Sequence, residues 1–314
     1  MGKANQPYEF KLGMFLSELQ QPFKEALDTA REQGAKYVWC GTYSGDRRLF
    51  ELSDAEIDAA AEAVRSRGLE FLFMDGGGLF KQVHLAELEA GKMLEHALFK
   101  EHFTSLTRLM EVSSRLGVGA VACSSFAWPE EYSAGKPTWP MRWATRGGII
   151  ADVDMEKLVE AFSLMIEPAE RFDVDLVLQM MQWNYTNTSG NFRRIVEAVG
   201  SRRLKAMWCP ADNVNCGETD NATAGFHNLR PYLHGIHAKD LHTINGSKLE
   251  FEYRPIGEGD VDYPTILRNL CDHNCDIVVS VATHFVPASG SRVEAMETNF
   301  ANLKRLMAAV IAEG

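Results

Sequence analysis

The sequence predicts one closed barrel of eight parallel strands alternating with helices, a (β/α)8 TIM barrel spanning residues 1–314. Three observations predict it. Short apolar runs recur from end to end, each is followed by a segment with apolar residues at helical spacing, and no linker or low-complexity stretch breaks the rhythm. Runs that are apolar throughout belong to strands covered on both faces, and strands separated by helices pair in parallel. Eight such units favour a closed barrel over an open sheet. A doubly wound nucleotide fold loses ground because no Gly-rich phosphate loop follows the first run. A chain of 314 residues, 46% hydrophobic and 24% charged, can bury a core of that size.

Residues 9–15 (EFKLGMF) read as the first strand, and 22–34 (PFKEALDTAREQG) as its helix, stopped by Gly34. Residues 35–40 (AKYVWC) form the second strand. The helix at 53–68 opens with Ser53 and Glu56 in capping-box spacing and closes on Gly68. Residues 69–74 (LEFLFM) come next as a strand, then a helix from about Leu94 to Leu116, then a strand at 118–123. A helix over 155–172 leads to the fifth strand at 174–181 (VDLVLQMM). The sixth strand is 204–209, the seventh 234–239 and the eighth 276–282, and a last helix closes the chain.

Two connections are longer than a barrel needs, at about 75–93 and 124–149. Both leave the C-terminal ends of strands, the face on which barrel enzymes place their sites. The second carries Trp128, Tyr132, Trp139, Arg142, Trp143 and Arg146. Such a segment can be a lid that stacks on a sugar ring, a contact with another subunit, or an insertion packed on its own aromatics.

A net charge of −11 argues against a nucleic-acid or anionic-membrane partner, which would require clustered Lys and Arg. The six Cys are scattered and read as reduced thiols of a cytoplasmic protein. No stretch reaches the roughly 18 apolar residues of a membrane span. The expected partner is a small carbohydrate-like ligand, with a homo-oligomer left open.

Side chains at barrel strand ends converge on one pocket, so the candidates are Gln179, Gln182, Asp212, Asn215, His237, Lys239, Asp240, Thr283 and His284. Carboxylate and neutral imidazole are common ligands of Mn, Co or Zn, and Asp212 and His237 suit that role individually. From about residue 170 to 286 the order and spacing resemble the sugar isomerase/epimerase-like family of xylose-isomerase-type barrels. The resemblance rests on ADNVN (211–215), HAKD (237–240), IGEGDVDYPTILRNL (256–270) and SVATHF (280–285). It implies a pocket for a sugar, polyol or keto acid. The family holds a divalent metal with Glu, Asp, His and Glu. Here Gln179 stands at the place of the first Glu and Ala282 at that of the second, while Asp212 and His237 remain. The resemblance therefore implies a divalent ion (Mn, Co, Mg or Zn) that is weakly bound or absent, held by Asp212, His237, Gln179 and His284.

Two functions compete. The first is an isomerase, epimerase or lyase acting on a sugar, polyol or keto-sugar. Its proton transfer falls to Asp212, His237 and His284, with Lys239, His84 and Asp75 as further choices. Gln179, Gln182, Asn215, Lys239, Trp128, Trp143 and Arg142 are the candidate substrate contacts. The second is a non-catalytic sugar-binding barrel or partner subunit that has lost the metal cage. Lys239 is expected to pair with Asp240 or Glu258, Asp240 to be structural, and GEGD (257–260) to shape the loop after strand seven.

Overall fold

The computed structural model describes residues 8–43, 46–129, 133–136, 148–248 and 250–313. Among the described residues the barrel has eight parallel strands: β1 Lys11–Phe15, β2 Tyr37–Trp39, β3 in two pieces (Glu70–Phe71 and Met74–Asp75), β4 Ala120–Ser124, β5 Asp175–Gln179, β6 Leu204–Trp208, β7 Leu233–Ala238 and β8 Val278–Val281. The hydrogen-bonded order runs from the first piece of β3 through β2, β1, β8, β7, β6, β5 and β4 to the second piece of β3. Both ends of that order lie in one strand, two residues apart, so the sheet closes on itself as a (β/α)8 barrel. Every pairing around it is parallel.

The sequence signals act as read. Ser53 caps the helix Asp54–Arg65 by accepting from the Glu56 N–H, and the Glu56 side chain accepts from the Ser53 N–H in return. Gly117 and Gly200, at φ +71° and +70°, end the helices Ala97–Leu116 and Ser189–Val199 in the left-handed conformation that glycine tolerates. β4, β5 and β8 are sealed along nearly their whole lengths, as strands covered by the barrel interior and by helices must be.

Among the described residues, two hydrogen bonds between side chains join non-adjacent strands of the barrel. Trp39 Nε1 on β2 donates to Ser280 Oγ on β8 at 2.9 Å, passing over β1. Gln179 Nε2 on β5 donates to Asp75 Oδ1 on β3 at 3.1 Å, passing over β4.

The structure corrects the reading in three places. The third strand is interrupted at Leu72 and Phe73, and Asp75 belongs to its end instead of opening the long loop. An antiparallel hairpin, Asp240–Asn245 with Glu250–Arg254, follows β7 where only a loop is expected. A one-and-a-half-turn helix, Pro210–Asn215, follows β6 and carries Asp212. Pro210 starts it because its fixed φ suits the first helical turn. Of the aromatic loop at 124–149, Trp128 is described, while Trp143 and Arg142 lie outside the described residues. No helix among the described residues is long and apolar enough to cross a membrane.

Asp240 is structural, as expected. Its carboxylate accepts the backbone N–H groups of Leu241, Gly257, Gly259 and Val261 at 2.9, 2.9, 3.1 and 3.2 Å. That cradle folds the GEGD segment back onto the end of β7.

Candidate active site

The alternation of a strand puts His237 and Lys239 on one face, with Ala238 turned away. Asp212 reaches the same place from the first turn of its helix. Asp212, His237 and Lys239 are 1%, 2% and 2% exposed. Lys239 Nζ lies 3.1 Å from Asp212 Oδ1. This corrects the expected pairing: Asp240 is saturated by backbone N–H groups, and Glu258 instead accepts from Asn302 Nδ2 at 3.3 Å. Burial works against the Lys239 charge, yet the Asp212 carboxylate, with Cys209 and Tyr253, holds its pKa above the ordinary value.

Within this group of side chains, Asp212 Oδ2, His237 Nδ1 and His237 Nε2 are buried and have no hydrogen-bond partner among the described residues. The His237 ring stands edge-on to Phe15 and Trp39, at centroid distances of 5.8 and 5.3 Å. Burial, then the Lys239 charge, push its pKa well below the usual value, so the imidazole is neutral. A buried neutral imidazole with both nitrogens unsatisfied is costly, and a ligand hydroxyl or carbonyl would satisfy it.

On one side of this group, His284 Nδ1 lies 3.4 Å from Glu18 Oε1. Glu18 follows β1 in the short helix Leu16–Leu19. Burial raises its pKa to about 7 against the opposing pull of Lys239 and Arg292. Burial, Lys239, His237 and Arg292 together hold His284 well below its ordinary pKa. The Tyr253 ring, on the hairpin, is 4.7 Å from the His284 ring and 5.9 Å from Lys239 Nζ.

On the other side, Asp75 Oδ1 accepts from Gly77 N–H at 2.8 Å as well as from Gln179. Burial raises the Asp75 pKa to about 6, opposed by the Gly77 N–H, Lys81, Arg48 and Gln179. Burial lowers Lys81 to about 8. Asn215 Nδ2 donates to Gln182 Oε1, joining two predicted substrate contacts to each other. Trp128 stacks on Tyr185 at 4.1 Å, and its backbone N–H donates to the Trp183 carbonyl at 2.9 Å.

The structure thus brings Asp212, His237 and Lys239 together and sets His284 nearby. Sequence reasoning missed Glu18 and Tyr253 and reached Asp75 only as a loop base. Glu18 was findable, since it stands three residues beyond a predicted barrel strand; nothing in the sequence marks Tyr253.

The predicted metal ligands do not fit a resident dication. Gln179 turns its amide N–H toward the Asp75 carboxylate, Asp212 faces an ammonium, and His284 faces Glu18. Among the described residues, no three His, Cys, Asp or Glu side chains gather where they could share an ion.

An eight-stranded parallel barrel with polar groups gathered at its strand ends defines a class of protein, and the match to a family model narrows it. The chain belongs to the xylose isomerase-like TIM barrel family, whose model matches residues 27–306. No curated protein sequence matches it. Among solved structures it is similar to an L-ribulose 3-epimerase (13% identity, 97% of each chain, TM-score 0.70). It is also similar to D-psicose 3-epimerase from Clostridium cellulolyticum H10 (17% identity, 97% of this chain and 98% of that one, TM-score 0.63). A third is the IOLI protein with a bound zinc atom (18% identity, 97% and 99%, TM-score 0.68). Identities this low establish a shared fold.

Proposed function

We propose that the chain is a sugar isomerase- or epimerase-type enzyme in which Glu18 and Asp75 carry protons while Lys239, neutral His237 and Asp212 hold the oxygens of a keto-sugar. The observation that carries this reading is a largely buried Glu18 carboxyl and a fully buried Asp75 carboxyl, which burial pushes up to about 7 and about 6, flanking buried polar atoms that lack partners. Enzymes tune carboxyls toward neutrality for general acid–base work, because a base then exists in useful amount and still accepts a proton readily. In the proposed step one carboxylate removes the proton from the carbon beside the carbonyl, and the bonding electrons move onto the carbonyl oxygen. The Lys239 ammonium and the His237 N–H stabilise that oxygen, since fixed charge in a dry site acts more strongly than in water. Return of a proton to the other face of the same carbon gives the epimer; return to the former carbonyl carbon, with the proton of the neighbouring hydroxyl passing to the former carbonyl oxygen, gives the isomer. The epimerase structures similar to this one support the substrate class.

The three central side chains are sealed, so substrate is admitted only when a covering segment moves. The hairpin carrying Tyr253 covers them on the Lys239 and His284 side.

The test is solvent exchange. Incubated in D2O with a panel of ketopentoses, ketohexoses and keto-glycosides and followed by proton NMR, the protein is expected to place deuterium next to the carbonyl of at least one sugar. Saturable binding of a sugar with no exchange in any member of the panel would assign the chain to the competing class, a sugar-binding barrel without catalysis.

A further inference from the structure

We infer that Lys239 supplies in this barrel the positive charge that a divalent ion would otherwise supply beside Asp212, and that a cation site stays closed here for as long as Lys239 is present. The inference concerns charge and does not rest on the proposed catalysis.

Among the described residues Asp212 is the one carboxylate at ion-pair distance from Lys239, while Glu18, which the Lys239 charge also reaches, lies against His284. Asp212 is sealed from solvent, and Lys239 Nζ stands 3.1 Å from its Oδ1. One carboxylate and one ammonium cancel locally, which leaves nothing to offset the desolvation of a further two positive charges. A dication bound to the free Oδ2 would also sit within a few ångströms of the ammonium. Like charges that close in a poorly solvated place repel strongly enough to weaken binding by roughly a thousandfold or more.

The remaining positions agree. Gln179 is neutral, 5% exposed, and spends its amide N–H on Asp75. Ala282 is fully sealed and offers no donor atom beyond its backbone, whose N–H is bonded to the Ala238 carbonyl at 2.9 Å. His237 is the one neutral ligand left, and one carboxylate with one imidazole makes half of a four-ligand set.

An ordinary buried ion pair, kept only for stability, is the competing account. Removing the lysine separates the two. If Lys239 occupies a cation site, its deletion leaves Asp212 buried and uncompensated beside an imidazole, so a divalent ion should take up the vacated position. If the pair is merely structural, deletion should destabilise the fold with no response to metal.

The experiment is a Mn(II) titration of chelator-treated protein, read by the EPR signal of the free ion, together with thermal melts. The wild-type chain is expected to bind no Mn(II) tighter than about 1 mM and to melt at the same temperature with and without metal. The K239M variant is expected to melt lower in chelator and to recover when Mn(II) or Mg(II) is added. The double variant K239M/D212N, with both charges removed, is expected to regain much of the lost stability without metal and to ignore it. Should K239M fail to fold alone, refolding it in Mn(II) gives the same reading. One Mn(II) per wild-type chain at micromolar affinity would overturn the inference, and so would a K239M chain whose melting or refolding ignores metal.

Discussion

Gly259→Ala is expected to cost about 4 kcal/mol and lower the melting temperature by roughly 8 °C. A Cβ built on Gly259 lies 2.3 Å from Asp240 Oδ1, 2.6 Å from Asp240 Cγ and 2.4 Å from the Leu241 carbonyl oxygen. Neither neighbour can give way cheaply. Leu241 presents backbone, and moving the Asp240 carboxylate breaks the four N–H bonds that fold the loop after β7. Each charge-assisted bond contributes on the order of 1.5–3 kcal/mol, and they do not add because the four share one carboxylate. Gly190→Ala is the control, since nothing lies within 4 Å of the added Cβ in the helix Ser189–Val199. It is expected to leave stability unchanged or raise it by less than about 1 kcal/mol. Thermal melts of both variants decide the matter, and equal melting temperatures would remove the cradle from the account of this loop.

Glu18→Gln is expected to reduce solvent exchange into the substrate by about a hundredfold to ten-thousandfold while making the protein more stable above pH 7. The two effects share a cause. Burial raises the Glu18 carboxyl from its model-peptide value of 4.5 to about 7, so between those values the folded chain binds the proton more tightly than the unfolded one. Stability from this group is therefore fully present below pH 4.5 and is lost as the pH rises through 7. A shift of that size corresponds to on the order of 3 kcal/mol. Glutamine keeps the shape and removes the buried charge. The variant should then melt several degrees above wild type at pH 8 and close to it at pH 4. In wild type, exchange should rise with pH through about 7 as the base form appears. An equal melting temperature at pH 8 would show that Glu18 is not strained by burial, and undiminished exchange in the variant would leave Asp75 as the sole proton carrier.

The sequence by itself carried the architecture. Period-two and helical patterns, the capping box at Ser53, and glycines such as Gly117 and Gly200 are local features, and local features survive in a linear string. It also placed His237 and Lys239 at the C-terminal end of the seventh strand, because the end of an apolar run is a local feature. The similarity of ADNVN and HAKD to a known family marked Asp212 and His237 as one group.

Partner choice was decided only by the tertiary structure. Lys239 has three acidic candidates within reach of a sequence argument, and it pairs with Asp212 because two separate events occur. Pairing of β6 with β7 brings their ends together, and Asp240, the immediate neighbour, is consumed by backbone N–H groups that arrive from 257–261. Glu18 and His284 stand at opposite ends of the chain and touch because β1 pairs with β8. Gln179 meets Asp75 across the barrel because closure curves β3 and β5 toward one axis. A pattern of apolar residues tells each side chain whether it is buried. Which charge it finds there depends on register and closure, and those are properties of the whole sheet.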